Sequence, residues 1–445
     1  MGHSVRFVAI VCLSLELSHG RVAAQAPDSS RPAEIAFVDV NLIPMDREQV
    51  VSHQTVLVRG DRIVRIGPAG KVIPAADALR INARGKYLMP GLVDMHIHLF
   101  NSKDLLLYLA NGVTTVRNLG GYAASDSILR IRREVAKGKR LGPTIYTSGN
   151  WLDGDPPYRP INTVVRTPAE ARAVVERQRA QGYDFIKVYQ NLSPEVYREI
   201  VRVARAQGIP VTGHIPTAVG VAGVLESGQV GVDHVEHFAG DGPPEQLAQE
   251  VRRAGVSVTT TLVMLRLAFT LRGAPERMDS LLARPEARYL SPATRRFWQD
   301  APYLKAPRMP TALERVREAQ DLVRVFHAQG VRVMLGTDAG IWGNPPGFSV
   351  LEELELLVES GLTPYQALRA GTTEPAEFLN EYVRGARQPG AIAEGNRADL
   401  LLLEANPLED VGNAAKRAGV MVRGRWLTQA QLGGLMEELA RGYGR

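Results

Sequence analysis

The stretch Pro90–His98, PGLVDMHIH, decides how this chain is interpreted. An apolar run with the character of a strand leads directly into His96 and His98, which one residue separates. Residues at i and i+2 of a strand point to the same face, so both imidazoles can bind one ion. Taken alone, the motif leaves open the alternative of two surface histidines.

Seven more short apolar runs follow this stretch, and helical patterns separate them. One helix is predicted after Ser193 as N-cap, with Pro194 at its first position and Gly208 as its stop. Alternating strands and helices predict a parallel sheet. Eight strands in about 290 residues predict a (β/α)₈ barrel, with a doubly wound open sheet as the alternative. The eight predicted strands are 91–99, 112–120, 142–149, 183–190, 209–216, 231–238, 256–263 and 331–340.

Both ends of the chain are rich in strand patterns. VLVRGDRIV, residues 56–64, resembles GVMVRGRWL, residues 419–427, and each has a glycine in a predicted turn. We therefore expect a small β-sandwich domain built from both ends. The predicted domains are 34–90 together with 386–428 for the sandwich, 91–385 for the barrel and 429–445 for a C-terminal helix.

Composition restricts the class of protein. The 445 residues are 22% charged and 45% hydrophobic, which is typical of a globular chain. The net charge of +6 is modest for this length. The sequence has no basic run with interleaved aromatic residues, which is the pattern that would indicate nucleic-acid binding. Cys12 is the only cysteine and lies in the predicted leader, so candidate metal ligands in the mature chain are histidines and carboxylates.

Residues 1–26 are predicted to be a signal peptide. Arg6 precedes the apolar run FVAIVCLSL, and Ala24-Gln25-Ala26 is a possible cleavage motif. The alternative is a single N-terminal membrane anchor, for which the apolar run is short. We expect a secreted or periplasmic protein that contacts no membrane after cleavage.

The ends of the predicted strands carry the residues that point to chemistry. In a (β/α)₈ barrel the active site lies at the carboxyl ends of the strands. Taken singly, Asp338 could be a helix N-cap and His214 a loop histidine. Their order at successive strand ends favours a metal site instead. The candidate ligands are His96, His98, Lys187, His214, His237 and Asp338.

Two of these assignments need a further argument. Burial lowers the pKa of a lysine, and a neutral Lys187 amine could capture CO₂ as a carbamate able to bridge two metal ions. The alternative is an ordinary ion pair, for example with Asp338. His234 and His237 are three residues apart and face opposite sides of a strand, so we assign His237 to the site, and His234 to packing or to a supporting position behind the ligands.

The ordered set, completed by GTDAG at 336–340, resembles the amidohydrolase superfamily over about residues 34–428. GVTTVRNLGG at 112–121 and FIKVY at 185–189 resemble its imidazolonepropionase-related, prolidase-like and other dipeptidase-like branch. The family pattern also favours His237 over His234.

The resemblance implies two divalent metal ions, most simply zinc, with manganese, cobalt or iron as alternatives. One ion would be held by His96, His98 and Asp338, and the other by His214 and His237, with carboxylated Lys187 as the bridge. The expected mechanism is attack by a metal-bridging hydroxide on an amide carbonyl. Asp338 would pass the proton to the leaving amine, and Asp338 and Lys187 would be the catalytic residues.

Substrate contacts are less well marked. Peptidase-like relatives have an H-A-Y pattern after the fifth strand, whereas this chain has His214-Ile215-Pro216. Tyr189, on the same strand face as Lys187, could replace that tyrosine or simply pack. Residues 263–312 contain eight arginines. They predict a lid in which Arg288 binds a substrate carboxylate. The alternative, which we prefer, is a solvated helical insertion, for example at an oligomer interface.

The sequence thus predicts a hydrolase that cleaves an amide bond of a small molecule, such as a dipeptide or an N-acyl amino acid. An ester, lactone or organophosphate hydrolase is the first alternative, because the same metal site could attack those groups. A metal-free barrel used for binding or as a scaffold is the second. We expect a homo-oligomer and no nucleic-acid partner.

Overall fold

The computed structural model describes residues 32–120, 125–341 and 343–444. The predicted signal peptide lies outside these residues, as do Tyr122 and Trp342, two aromatic residues of loops that follow predicted strands. In the described part of the chain, no helix has both the length and the apolar character needed to cross a bilayer.

The two ends of the chain form one eight-stranded sheet, in the order β18-β17-β16-β5-β1-β2-β3, with β4 beside β1. Its antiparallel β5–β16 pair sets Leu400 opposite Pro90. The described strands thus pair in one hydrogen-bonded sheet, which agrees with the expectation that both ends of the chain build one β structure. Its strands are β1 (Glu34–Leu42), β2 (Val51–Arg59), β3 (Arg62–Pro68), β4 (Leu79–Asn82), β5 (Tyr87–Pro90), β16 (Leu400–Leu403), β17 (Arg417–Val422) and β18 (Arg425–Thr428).

The two similar hairpins of this sheet meet at their turns. Gly60 joins β2 to β3 with φ 58°, and Gly424 joins β17 to β18 with φ 71°. Both values lie in the left-handed region that glycine adopts most easily. A Cβ on Gly424 would lie 1.8 Å from the carbonyl oxygen of Gly60, so a larger residue cannot fit there.

Among the described residues, the middle of the chain contains ten strands, and these pair only in parallel. They form the sheets β6-β7-β8 and β10-β9-β11-β12-β13-β14-β15. Single parallel bridges, Ser148–Phe185 and Ile97–Ala339, join the two sheets at both sides. The strands are β6 (Leu92–Ile97), β7 (Val113–Asn118), β8 (Thr144–Thr147), β9 (Leu152–Asp153), β10 (Thr163–Val164), β11 (Ile186–Val188), β12 (Val211–Gly213), β13 (Gly231–Asp233), β14 (Ser257–Thr259) and β15 (Val333–Met334).

Each of the eight predicted strand segments contains one of these strands, namely β6–β8 and β11–β15. Parallel pairing therefore runs through all eight segments and returns to the first, which we call the strand ring. The carboxyl ends of its strands lie at one end of the ring, because parallel strands run in the same direction.

Helices alternate with these strands. The helix predicted after Ser193 is present, and the Ser193 side chain accepts a hydrogen bond from the backbone N–H of Val196 as its N-cap. The helices are α1 (Leu105–Ala110), α2 (Ser125–Ala136), α3 (Pro168–Gln181), α4 (Pro194–Ala206), α5 (Gly220–Ser227), α6 (Pro244–Ala254), α7 (Leu262–Leu271), α8 (Pro275–Leu282), α9 (Pro292–Gln299), α10 (Ala312–Ala328), α11 (Ser349–Glu359), α12 (Pro364–Ala370), α13 (Thr373–Tyr382) and α14 (Gln429–Tyr443).

Candidate active site

A cavity of about 700 Å³ opens at the carboxyl ends of the ring strands. Predicted site residues from several different strands line it, and His96 lies buried beside them. The strand ring therefore brings together residues that are up to 242 positions apart, as the numbers 96 and 338 show. The lining residues that were predicted as ligands are His98, Lys187, His214, His237 and Asp338.

His96, His98 and Asp338 form the first part of the site. The Asp338 backbone N–H donates to the His96 carbonyl over 2.7 Å, which holds the two strand ends together. One Asp338 carboxylate oxygen, Oδ1, lies 3.3 Å from His96 Nε2 and 2.9 Å from His98 Nε2. His98 Nδ1 donates to the Gly120 carbonyl over 2.8 Å, which leaves its Nε2 to face the cavity.

Asp94, which lies in the PGLVDMHIH motif, supports the backbone of this group. Its Oδ1 accepts from the backbone N–H groups of His96 (3.2 Å) and Thr337 (3.0 Å), and its Oδ2 accepts from the Thr337 hydroxyl over 2.6 Å. Burial raises the pKa of Asp94 to about 7. Asp94 was not among the predicted site residues, although a carboxylate in an otherwise apolar strand was the available signal.

Lys187 belongs to a buried group of three charges. Its Nζ donates to Asp233 Oδ2 over 2.8 Å, and Arg117 Nη2 hydrogen-bonds the other Asp233 oxygen. Burial lowers the pKa of Lys187, and the charge of Asp233 opposes that change. Burial alone would raise the pKa of Asp233, but Arg117 and Lys187 hold it at about 2.

This group corrects one alternative from the sequence, because Lys187 pairs with Asp233 and not with Asp338. Asp233 is the last residue of β13, and Arg117 lies in β7. Neither was predicted to take part in the site. A charged residue inside the buried strands TTVRN and GVD was the signal for both.

His234 and His237 both line the cavity, which corrects the assignment of His234 to packing. Strand β13 ends at Asp233, His234 has φ 76°, and residues 235–238 form a 3₁₀ turn. Strand alternation therefore does not apply to this pair. His234 Nε2 lies 3.8 Å from Asp338 Oδ2, and His237 Nε2 lies 2.9 Å from His214 Nδ1.

The donor atoms and their protonation suit a divalent metal ion. Burial lowers the pKa of His96 and His214 well below the usual range and that of His237 to about 4, so these imidazoles are neutral at pH 7. Neutral imidazole and carboxylate are common ligands of zinc and related metals. Ligand atoms of His96, His234 and Asp338 lie within 4.8 Å of one another.

Two buried polar atoms of this group support the same conclusion. His96 Nδ1 and Asp338 Oδ1 have no hydrogen-bond partner among the described residues. An unpaired buried polar atom is costly, and a cation would satisfy it. The residues present therefore fit a metal ion.

The residues predicted to contact substrate lie in different places. Tyr189 lines the cavity, with its ring stacked on Trp151 at 5.0 Å and 4.0 Å from the His214 ring, so it both packs and faces the site. Arg288 is not among the described residues that line the cavity. Its guanidinium instead pairs with Glu437 of the C-terminal helix, which corrects its assignment as a substrate contact.

The insertion at 263–312 is not simply a solvated segment, which was the preferred interpretation. Its first helix, α7, forms one wall of the cavity. The lining residues of that helix are Met264, Leu265, Ala268 and Phe269, and Arg272 follows at its end.

A buried carboxylate on α11 holds the start of α7. Glu353 Oε1 accepts from the Leu262 N–H over 3.0 Å and also from the Thr260 hydroxyl, and its Oε2 accepts from the Val263 N–H over 2.7 Å. These are N–H groups that a helix leaves unpaired at its first turn. Burial raises the pKa of Glu353 to about 7 although these hydrogen bonds favour the charged form.

We expect Glu353→Gln to destabilise the fold by about 1–3 kcal/mol, because an amide group would then face N–H donors that lose an acceptor. Urea unfolding measures this directly. Glu355→Gln is the matched control on the same helix, and its exposed side chain predicts a change within about 0.5 kcal/mol. Equal unfolding midpoints for the two variants would contradict the capping role.

The comparisons with known proteins agree with this geometry. A family model described as the amidohydrolase family matches residues 87–427. Ochratoxinase from Aspergillus niger is 24% identical in an alignment covering 83% of this chain and 81% of that protein.

Two solved structures are similar over most of their length. The bottromycin amidohydrolase structure has a TM-score of 0.75 at 26% identity, and the match covers 94% of this chain and 92% of that chain. A putative prolidase from Bifidobacterium longum has a TM-score of 0.69 at 24% identity, with 92% and 99% covered.

Proposed function

Because this chain belongs to the amidohydrolase family and is a hydrolase acting on carbon–nitrogen bonds, we propose that it is metal-dependent and cleaves the amide bond of a dipeptide or an N-acyl amino acid. The observation that carries the proposal is the buried cluster of His96, His98 and His234 around the Asp338 carboxylate, beside a cavity of about 700 Å³. The closed strand ring supports our further proposal of a complete (β/α)₈ barrel beneath it.

Two divalent metal ions, most simply zinc, are proposed for this cavity. His96, His98 and Asp338 would hold one ion, with His234 within reach of it, and His214 and His237 would hold the other. Carboxylated Lys187 would bridge them. When bound, such ions polarise a carbonyl and lower the pKa of a water molecule.

Asp338 is the proposed proton carrier. Its Oδ1 lies between the His96 and His98 rings, and the side chain is buried at the cavity floor. A carboxylate placed there accepts a proton from the attacking water and returns it to the leaving nitrogen. Its backbone hydrogen bond to His96 and the Thr337 contacts of Asp94 fix where that carboxylate lies.

Lys187 is the proposed site of carboxylation. The reaction requires the neutral amine, and burial lowers the pKa of Lys187 toward that form. Lys187 is the middle residue of β11, which pairs with β12, and His214 directly follows β12. Retention of labelled bicarbonate by the native protein and not by Lys187→Met would support this step.

The first alternative is a hydrolase of esters, lactones or organophosphates, whose substrate would meet the same residues. The second is a metal-free barrel that binds a ligand and catalyses no reaction. From the sequence we further propose that the protein is exported through residues 1–26, contacts no membrane afterwards and assembles as a homo-oligomer.

We expect about two equivalents of divalent metal per chain, measured by plasma mass spectrometry, and loss of activity on chelation that added metal reverses. His96→Ala should lower the metal content, while His53→Ala, whose side chain is exposed, should not. One equivalent would contradict a lysine bridge. No metal after reconstitution with bicarbonate would contradict metal dependence and favour the binding barrel. A screen of dipeptides and N-acyl amino acids beside esters, lactones and phosphotriesters then separates the substrate classes.

A further inference from the structure

The loop between β9 and β10, residues 154–162, is held in one shape by the buried Asp153 carboxylate. Its Oδ1 accepts from the N–H groups of Gly154 (3.0 Å) and Asn191 (2.7 Å). Its Oδ2 accepts from the Tyr158 N–H and from the Asn162 amide, each over 2.7 Å. Four hydrogen bonds to one buried carboxylate fix both ends of the loop against the strand ring.

This loop presents Arg159 to the cavity. The guanidinium lies 5.5 Å from the centre of the Tyr158 ring and hydrogen-bonds the Tyr189 hydroxyl. Arg159, Tyr158 and Tyr189 all line the cavity, together with Tyr303 of the insertion. The guanidinium therefore lies within reach of a ligand that occupies the cavity.

Much of the remaining lining is apolar. It includes Met264, Leu265, Ala268 and Phe269 of α7 together with Ile341. A ligand that fills the cavity therefore meets both a cation and hydrocarbon. Arg272 also lines the cavity, but its Nε donates to the Pro307 carbonyl over 3.0 Å, which directs it to the insertion backbone.

We propose that Arg159 is the specificity-determining residue that binds a substrate carboxylate, and that the substrate carries a bulky apolar group against α7. The inference rests on the proposed function and deepens it, because it selects amides of apolar amino acids with a free carboxylate. A planar guanidinium already aligned by Tyr158 and Tyr189 binds a carboxylate through two hydrogen bonds. Amides whose carboxylate is blocked bind poorly.

The test compares hydrocinnamate with hydrocinnamamide, its neutral analogue, as ligands of the metal-loaded enzyme. Neither requires turnover, so calorimetry measures binding even if no amide substrate is found. Charge-assisted hydrogen bonds predict that the native enzyme prefers the carboxylate by roughly 10- to 100-fold. Arg159→Gln loses most of this preference, Arg159→Lys keeps part of it, and Arg272→Gln keeps it.

Equal affinity of the native enzyme for both ligands overturns the proposal. A preference that survives in Arg159→Gln also overturns it, since a bound metal would then be holding the carboxylate. Turnover is measured in parallel on N-acyl amino acids and their carboxamides. Hydrolysis without carboxylate preference refutes this inference alone, whereas a carboxylate preference that depends on Arg159, without hydrolysis of any amide, refutes the proposed function alone.

Discussion

Asp338→Asn is expected to lower turnover by about 10²- to 10⁴-fold, because an amide cannot accept the proton that the carboxylate takes from the attacking water. The substitution keeps the size of the side chain and one oxygen near His96 and His98, so part of the metal should remain bound. Measured against the metal content of each preparation, kcat should fall far more than occupancy does.

Asp321→Asn is the matched control for this variant. Asp321 is an exposed residue of α10 whose partner is Arg324, 3.4 Å away on the same helix. Its kcat and metal content should equal those of the native enzyme. Turnover of Asp338→Asn close to the native rate, at equal metal content, would show that Asp338 does not carry the proton.

Arg117→Met is expected to destabilise the protein by about 3–5 kcal/mol, because it removes the guanidinium that pairs with the buried Asp233 carboxylate. Arg117, Lys187 and Asp233 each have at most 1% of their side chain exposed. Arg117 also donates to the Met95 carbonyl over 2.6 Å, next to His96. The free energy of unfolding from urea titration measures the effect.

Arg130→Met provides the comparison for a surface ion pair. Arg130 is 58% exposed and pairs with Glu134 one turn away on α2. Exposed pairs of this kind contribute about 0.3–0.5 kcal/mol, so its unfolding curve should nearly overlay the native curve. If the two variants unfolded at the same urea concentration, the buried pair would have no special role in stability.

The sequence predicted those parts of the fold that depend only on short segments of the chain. Apolar runs ended by turn residues marked all eight ring strands, and Ser193 with Pro194 marked the start of α4. His96 and His98 both approach Asp338 Oδ1, as expected for two residues on one strand face, although the pairing register of β6 with β7 shifts between Asp94 and Ile97. Local patterns are informative where local geometry decides the outcome.

The parts that sequence missed depend on how the chain leaves a strand or on distant partners. His234 was assigned to packing because β13 was expected to continue through it. The strand instead ends at Asp233, directly before His234. Lys187 pairs with Asp233, which also pairs with Arg117, and these two residues lie 46 and 70 positions from Lys187 along the chain. Arg288 was placed at the cavity because nothing local shows which side of an insertion packs inward.

The pairing of β5 with β16 has a consequence for biosynthesis. Pro90 and Gly91 lead directly into the strand that carries His96 and His98, and the Gly91 N–H donates to the Asp399 carbonyl over 2.9 Å. A ribosome makes residue 90 long before residue 400, so β5 cannot pair with β16 until synthesis is almost complete. Contacts this distant in sequence make folding slow. Catalytic competence therefore arises only when synthesis has almost finished, and a prematurely terminated chain would hold the ligand residues without the sheet that anchors them.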